Sequence, residues 1–452
     1  MKHENVERNE MGRESLGRDD EHAGCGPAER EHHEPFVVDR RRFLGTGLAG
    51  AAAAITAPAW LPRVSYAAGG GGPTRDTLVV IFLRGGADGL TMCVPYADAE
   101  LYNRRPTLAV LPPGQTDGCT NLDGFFGLAP ASVPLLPAYQ AGNLAFVHAS
   151  GLSDPSRSHF DMQRWMEYGI TGAQSAGVST GWIGRYMQTI APVGAGLLRG
   201  VGVGSILPKS FHGAPASMAV PDPSSFTIAG TVSTAAARRA VITAEYAGEP
   251  DPMGSAAANA FATMDLLGQI AFDAYVPANG AVYPTGNFGT AMRSIAALIK
   301  AQTGVECIEV DINGWDLHSS LGPISGSMAT RMDELARGLA AFHLDLDDAV
   351  HTLDRTTLVV MSEFGRRAAQ NGSGGTDHGH GNCMIVMGGH VNGGQVMRIW
   401  PGLAPQNLVN GDLAITIDYR DILSEILADR MACTSLGTVF PGWTPVMRGI
   451  TS

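Results

Sequence analysis

Acidic and imidazole side chains gather in one Gly-rich loop towards the carboxyl end of the chain. The loop contains Thr376-Asp377-His378-Gly379-His380-Gly381, and Glu363 stands just after the apolar run Leu358 to Met361. If the backbone is extended there, His378 and His380 lie on the same side of it. Mixed carboxylate and imidazole ligands suit Zn²⁺, Mn²⁺, Fe or Mg²⁺ better than a metal that prefers thiolates. The loop therefore predicts a metal-assisted or acid–base site.

Similar polar side chains follow other short apolar runs, each of which reads as a buried strand. In open α/β sheets the carboxyl ends of the strands meet at one edge, where ligands bind. Two cations held at that edge could clamp the oxygens of an ester in an in-line displacement. The predicted metal ligands are Asp88, Asp316, His318, Glu363, Asp377, His378 and His380.

A second candidate segment lies between a predicted strand, Asn143 to His148, and a predicted helix. It reads Ser156-Arg157-Ser158-His159. A Ser before a helix is most often an N-cap. Hydroxyl, Arg and His groups at a helix N-terminus also suit an oxyanion site, and the sequence leaves both interpretations open.

The elements that must position these groups alternate between strands and helices. Strands are predicted at Asp76 to Leu83, which is uniformly apolar, and at Val305 to Asp311, Leu358 to Met361 and Cys383 to Met387. Residues that recur at helical spacing predict an amphipathic helix from Ser327 to Leu344. The class is therefore α/β, with a mainly parallel central sheet flanked by helices. Residues 205–285, rich in Ala, Gly, Ser and Pro, are interpreted as an inserted cap segment.

Bulk composition excludes some classes of partner. The chain has 452 residues and a formal net charge of −12, which argues against non-specific binding to nucleic acid or to an anionic membrane surface. An anionic substrate would need local Arg or metal charge. The six cysteines show no CxxC pair, and most are interpreted as small buried apolar residues.

The amino-terminal region predicts export. Residues 1–39 are charged and polar, as in a disordered leader. Arg40-Arg41-Arg42-Phe43-Leu44 then precedes a weakly apolar Ala/Gly-rich run, so residues 40–68 resemble a twin-arginine (Tat) signal peptide. A linker, 69–75, leads to a single domain, 76–452. We therefore expect the Tat translocase as a partner, a periplasmic or extracellular location, and no stable membrane span after cleavage.

Several blocks of the mature chain resemble a known family. They are LVVIFLRGGADGL, RSHFDMQ, GWDLH, SEFGR, GTDHGHGN with MGGHVNGG, and DYRDIL. Together with the signal, they closely resemble the bacterial domain-of-unknown-function family 1501. That family in turn remotely resembles the alkaline phosphatase/sulfatase superfamily. Members of that superfamily have a bimetallic centre at the carboxyl edge of a sheet and transfer phosphoryl or sulfuryl groups.

The resemblance implies roles for individual residues. Asp88 matches the metal-binding acid after the first strand, and His380 resembles the final metal histidine, with His378 an extra candidate. Glu363 stands where an Asp-His pair is normal, with Phe364 in place of the His. Asp316 and His318 resemble an Asp…His metal pair at a closer spacing than usual, and Ser156 or Ser158 takes the place of the nucleophile. No Cys-x-Pro-x-Arg sulfatase signature is present.

These expectations favour an exported, metal-dependent hydrolase of phosphate or sulfate esters. Arg84, Arg157 and Arg366 are expected to bind the anion of a small ester substrate, and Ser156, Ser158 or a water molecule to attack it. Two alternatives stay open. One is a non-catalytic exported binding protein with a degenerate metal site, and the other, based on Tat export alone, is an oxidoreductase.

Overall fold

A computed structural model describes residues 75–192, 197–251 and 253–452. The predicted leader, the signal peptide and nearly all of the linker lie outside these residues. Within the described residues, no helix is both long enough and apolar enough to cross a membrane.

The described residues form a nine-stranded sheet with helices on both faces. The strand order is β10-β4-β9-β8-β1-β7-β5-β6, with β11 also paired to β4. Every pairing is parallel except those of β9, which runs antiparallel to β4 and β8. The strands are β1 (Thr77–Arg84), β2 (Thr120–Asn121), β3 (Gly127–Leu128), β4 (Leu144–Gly151), β5 (Gly200–Val203), β6 (Ser217–Val220), β7 (Cys307–Asn313), β8 (Thr356–Ser362), β9 (Asn382–Gly388), β10 (Gln395–Met397) and β11 (Ile417–Asp418). Strands β2 and β3 form a separate hairpin.

The helices vary in length from one turn to more than five. They are α1 (Gly89–Met92), α2 (Glu100–Arg104), α3 (Leu136–Gln140), α4 (His159–Tyr168), α5 (Trp182–Thr189), α6 (Ala235–Tyr246), α7 (Met253–Gly268), α8 (Asn287–Lys300), α9 (Ser327–Leu346), α10 (Tyr419–Asp429) and α11 (Leu436–Val439). The predicted α/β class with a mainly parallel sheet is confirmed.

Strand β1 shows why a strand at the middle of the sheet is almost uniformly apolar. Its alternate residues Val79, Ile81 and Leu83 pack into the core on one face of the sheet, whereas Leu78 and Phe82 pack into the core on the other. Side chains of a strand alternate between faces, so a strand covered on both sides has no solvent-facing position for a polar residue.

The sheet topology gathers the predicted site residues at one edge. The carboxyl ends of β1, β4, β7 and β8 share that edge because these strands run in the same direction. Strand β9 runs the opposite way and so begins there, directly after His378 and His380. Gly85 permits close approach at this edge: its φ is +122°, and a Cβ on it would lie 2.5 Å from Asp316 N.

The region interpreted as an inserted cap contributes to the sheet itself. Strand β6 lies within residues 205–285 and pairs in parallel with β5. The rest of that region contains α6 and α7, and none of the α6 residues is buried. All five described cysteines are buried as free thiols.

Candidate metal centre

Three histidines surround the carboxylate of Asp316. His318 Nε2 lies 2.9 Å from Asp316 Oδ1, and His378 Nε2 lies 3.2 Å from the same oxygen. His159 Nε2 lies 3.5 Å from Asp316 Oδ2. The two nitrogens His318 Nε2 and His378 Nε2 are themselves 2.9 Å apart. Four side chains, from the start of α4 and from two loops, therefore direct their polar atoms at one small volume.

The other ring nitrogen of each histidine is already engaged. His159 Nδ1 donates to Glu363 Oε1 over 2.7 Å, and His378 Nδ1 donates to the backbone oxygen of Arg157 over 2.9 Å. His318 Nδ1 lies 3.4 Å from Asp377 Oδ1. Since carbonyl and carboxylate oxygens only accept hydrogen bonds, each Nδ1 carries the proton. In the neutral imidazoles, all three Nε2 atoms then present lone pairs to Asp316.

This donor set fits a divalent cation. Lone pairs that converge on a carboxylate repel one another unless a proton or a cation lies between them. His159 Nε2 is buried without a hydrogen-bond partner among the described residues. The potential ligand atoms of His159, Asp316 and His378 all lie within 4.8 Å of one another, and His318 adjoins two of them. Imidazole nitrogens with one carboxylate suit Zn²⁺, Mn²⁺ or Fe.

The centre is open on one side. The side chains of Asp316 and His318 are 46% and 45% exposed, whereas that of His378 is 22% exposed. Phe364, which is 1% exposed, packs beneath the imidazoles, with its ring centroid 4.8 Å from those of both His159 and His378. An open coordination position is characteristic of catalytic rather than structural metal sites.

Arg366 fixes the carboxylate at the middle of the group. Its guanidinium donates to Asp316 Oδ1 over 2.7 Å and to the backbone oxygens of Gly85, Gly86, Trp315 and Thr376. Partial burial alone would raise the pKa of Asp316, but the hydrogen bonds from Arg366 and His378 outweigh it and lower the pKa. Arg366 is 2% exposed, and its guanidinium N–H groups donate to the protein itself rather than to a substrate anion.

Glu363 stands behind His159 rather than at the centre. Its buried carboxylate also accepts hydrogen bonds from Gly85 N, Gln163 Nε2 and Ser362 Oγ at 2.8 to 2.9 Å. Burial would raise the pKa of Glu363, but the hydrogen bonds from His159 and Gln163 outweigh it and lower the pKa to about 2. The ionised carboxylate in turn raises the pKa of His159, whereas burial lowers the pKa of His378.

Two predicted metal ligands lie apart from this group. His380 Nε2 donates to the backbone oxygen of Asp154 over 2.7 Å, and the chain bends at His380, so His378 and His380 contact different partners. Asp88 is 2% exposed, and its carboxylate is 2.6 Å from the guanidinium of Arg105. Asp377 reaches the centre only through His318, and Asn371 donates to it over 2.9 Å, which lowers its pKa.

The two serines predicted as nucleophiles make hydrogen bonds at the N-terminus of helix α4 in this structure. Ser158 is the N-cap of α4, and its hydroxyl accepts from Asp161 N over 3.4 Å. Ser156 Oγ lies 3.5 Å from Asp161 Oδ2 and accepts from Ser158 N over 3.2 Å. These contacts match the N-cap interpretation of the segment.

The predicted anion-binding arginines are paired with carboxylates. Arg84 donates to both oxygens of Glu167 at 2.9 and 3.0 Å and lies 2.9 Å from Asp311. Arg157 donates to the buried carboxylate of Asp412. Of the two, Arg157 is the more exposed, at 39% against 12%, and its backbone oxygen orients His378.

Sequence reasoning missed the residues that hold these groups. Gln163 lies four positions after His159, so helical spacing predicts that both face the same partner, and both contact Glu363. Arg105 and Asp412 carried no such signal because their partners, Asp88 and Arg157, are distant in the sequence.

Comparisons with known proteins identify one family. A model of the family described as "Protein of unknown function (DUF1501)" matches residues 144–432, a stretch that contains all four residues of the centre. No curated protein matches the sequence.

Solved structures resemble the chain only distantly. Ps i-CgsB in complex with k-i-k-neocarrahexaose aligns at 12% identity and a TM-score of 0.35, over 83% of this chain and 75% of that one. An alkaline phosphatase superfamily protein from Vibrio parahaemolyticus aligns at 11% identity and 0.31, over 76% and 67%. The alkaline phosphatase of the Antarctic bacterium TAB5 aligns at 10% identity and 0.26, over 70% and 92%.

Proposed function

Because this chain belongs to the DUF1501 family of proteins of unknown function, we propose a function from its site: it is an exported, metal-dependent hydrolase of phosphate or sulfate esters. One observation carries the proposal. The Nε2 atoms of His159, His318 and His378 converge on Asp316 at an open sheet edge, and each Nδ1 is committed elsewhere.

Each residue of the centre has a role in this proposal. His159, His318, His378 and Asp316 hold one divalent cation, which supplies Lewis-acid polarisation of an ester oxygen when bound. The carboxylates of Glu363 and Asp377 accept hydrogen bonds from Nδ1 of His159 and His318, respectively. A carboxylate behind a ligating histidine fixes its tautomer and raises its basicity. Arg366 keeps Asp316 in place.

The reaction consumes one water molecule. The water oxygen forms a bond to phosphorus or sulfur, the bond to the alcohol oxygen breaks, and the alcohol leaves with a proton. We assign the attack to water rather than to Ser156 or Ser158, because Ser158 caps α4 and Ser156 hydrogen-bonds within the same turn. Arg157, half-exposed at the start of that helix, is the residue we assign to the substrate anion.

The second candidate is an exported protein that binds a metal or an anion without catalysis. The serine contacts favour it, since within the described residues neither predicted nucleophile faces the centre through a hydrogen bond. A protein that retains a stoichiometric metal but hydrolyses no ester would support this candidate over the hydrolase.

The hydrolase is tested with p-nitrophenyl phosphate and p-nitrophenyl sulfate. The folded mature protein should release p-nitrophenol from at least one of them, lose that activity with a chelator, and regain it with Zn²⁺ or Mn²⁺. Turnover that is unaffected by chelation, or no turnover by metal-loaded protein, would remove the proposal.

Export belongs to the same proposal. The Arg40-Arg41 pair with Phe43-Leu44 supports passage through the Tat translocase to the periplasm or beyond. Tat passengers cross the membrane folded, so a metal could be loaded before export.

A further inference from the structure

A cleft of about 660 Å³ lies at the same sheet edge as the metal centre. Its floor is formed by the carboxyl ends of β5, β6 and β7, and its walls by the N-terminal halves of α8 and α9. This volume falls in the range of small-molecule sites. Asn313, the last residue of β7, lines the cleft, and Asp316 follows it by three positions. Three residues span at most about 11 Å, so the cleft adjoins the centre.

Two amide side chains on the cleft are free to bind a ligand. Asn287 begins α8, and Asn313 ends β7; both are exposed. Neither side chain makes a hydrogen bond within the described ranges of the chain. An amide presents donors and acceptors together. A hydroxyl group also does both, and so it can pair with an amide in either direction.

The charged residues on the walls add selectivity. Asp222, Asp311 and Glu334 line the cleft with one cation, Arg331. Arg331 lies 3.6 Å from Glu334 and is largely neutralised by it. Asp311 is paired with Arg84 over 2.9 Å. Asp222 is the acidic residue of the cleft that remains outside these two pairs, and its negative charge disfavours an anionic group there. Carboxylates, in contrast, accept hydrogen bonds readily from hydroxyl groups.

We propose that this cleft binds the alcohol part of the ester, and that this part is uncharged and rich in hydroxyl groups, as in a sugar or polyol. The inference rests on the proposed hydrolase, because it names the substrate class of the same site. The acid group would lie at His159, Asp316, His318 and His378, and the hydroxyl-bearing part would extend past Asn313 between α8 and α9.

Binding can be tested without relying on hydrolysis. Saturation-transfer NMR with methyl glycosides of glucose, galactose, mannose and xylose would measure binding of the uncharged part alone. At least one glycoside should bind, and Asn313→Leu and Glu334→Leu should each weaken it about tenfold through the loss of hydrogen bonds. Asp333→Leu is the matched control, since Asp333 is next to Glu334 on α9 but does not line the cleft, and it should leave binding unchanged.

The two proposals fail in different ways. Glycoside binding should persist in His378→Ala, which disrupts the centre and leaves the cleft intact. Binding that depends on Asn313 and Glu334, in a protein that holds no metal and hydrolyses no ester, would support the cleft assignment and contradict the hydrolase proposal. If no glycoside binds, if the cleft variants bind as wild type does, or if choline binds in preference, the assignment of a hydroxyl-rich ligand is overturned.

Discussion

The imidazole of His159 donates its Nδ1 proton to the buried carboxylate of Glu363 over 2.7 Å, while its Nε2 lies buried without a hydrogen-bond partner in the described structure. A histidine held in this way is prepared to coordinate a cation through Nε2. Glu363 itself stays ionised because its hydrogen bonds lower its pKa to about 2.

Glu363→Gln should weaken metal binding about tenfold to a hundredfold, because an uncharged amide no longer raises the basicity of His159. Titration of the apoprotein with Zn²⁺ measures the effect. Gln163→Met is the control: it removes another donor to the same oxygen and should change the affinity much less. Equal affinities in wild type and Glu363→Gln would mean that His159 is not a ligand.

Arg366→Met should lower the free energy of unfolding by about 3–5 kcal/mol, since it leaves Asp316 and four backbone oxygens without their buried donor. Urea unfolding measures the change. Arg367→Met alters the neighbouring, more exposed arginine and should cost about 1 kcal/mol or less. A loss no larger for Arg366 than for Arg367 would contradict the anchoring role.

His148 should make the protein less stable in mild acid. The residue is fully buried on β4; its Nε2 donates to Cys93 O, and its Nδ1 accepts from Ala149 N. Burial lowers its pKa from 6.5 to about 4. Between these values the unfolded chain takes up a proton that the folded chain does not, so stability falls as the pH falls, by up to about 3 kcal/mol.

His148→Gln tests this directly. Below about pH 6, the unfolding free energy of the variant should depend on pH less steeply than that of wild type, by about 1.4 kcal/mol per pH unit. His351→Gln replaces a histidine that is 78% exposed and should keep the wild-type slope. Identical slopes for wild type and His148→Gln would show that folding does not lower the pKa of His148.

Replacing Arg40 and Arg41 together with Lys should leave the full-length precursor inside the cell. The pair is the part of the signal that resembles the Tat pattern. Fractionation of cells that produce either form gives the result. Equal export of both forms would rule out the Tat route.

Strands β8 and β9 could be predicted from their apolar composition, because a strand that is buried on both faces of the sheet carries apolar residues on both faces. The run Leu358 to Met361 lies within β8, and Cys383 to Met387 lies within β9. The opposite direction of β9 was not predicted, since an apolar run carries no sign of its direction. Ser327 to Leu344 matched α9 to within two residues at its carboxyl end.

The choice between His378 and His380 shows where sequence reasoning stopped. Alternation in an extended chain places both on one side, and the resemblance to a known family favoured His380. In the structure Gly379 N donates to Gly365 O, and Gly381 N donates to Leu413 O. The first contact flanks an antiparallel bridge between Arg366 and His378, and the chain then bends at His380, so of the two histidines His378 is the one that contacts Asp316. Backbone contacts made by residues distant in the sequence decide such cases.

The metal content of three folded proteins tests the central claim most directly. Wild type, His378→Ala and His380→Ala would each be purified, dialysed against Zn²⁺ or Mn²⁺, and analysed for bound metal. We predict one metal per chain in wild type and in His380→Ala, and a large loss in His378→Ala. Metal retained by His378→Ala but lost from His380→Ala, or no metal in wild type, would contradict a centre built around Asp316.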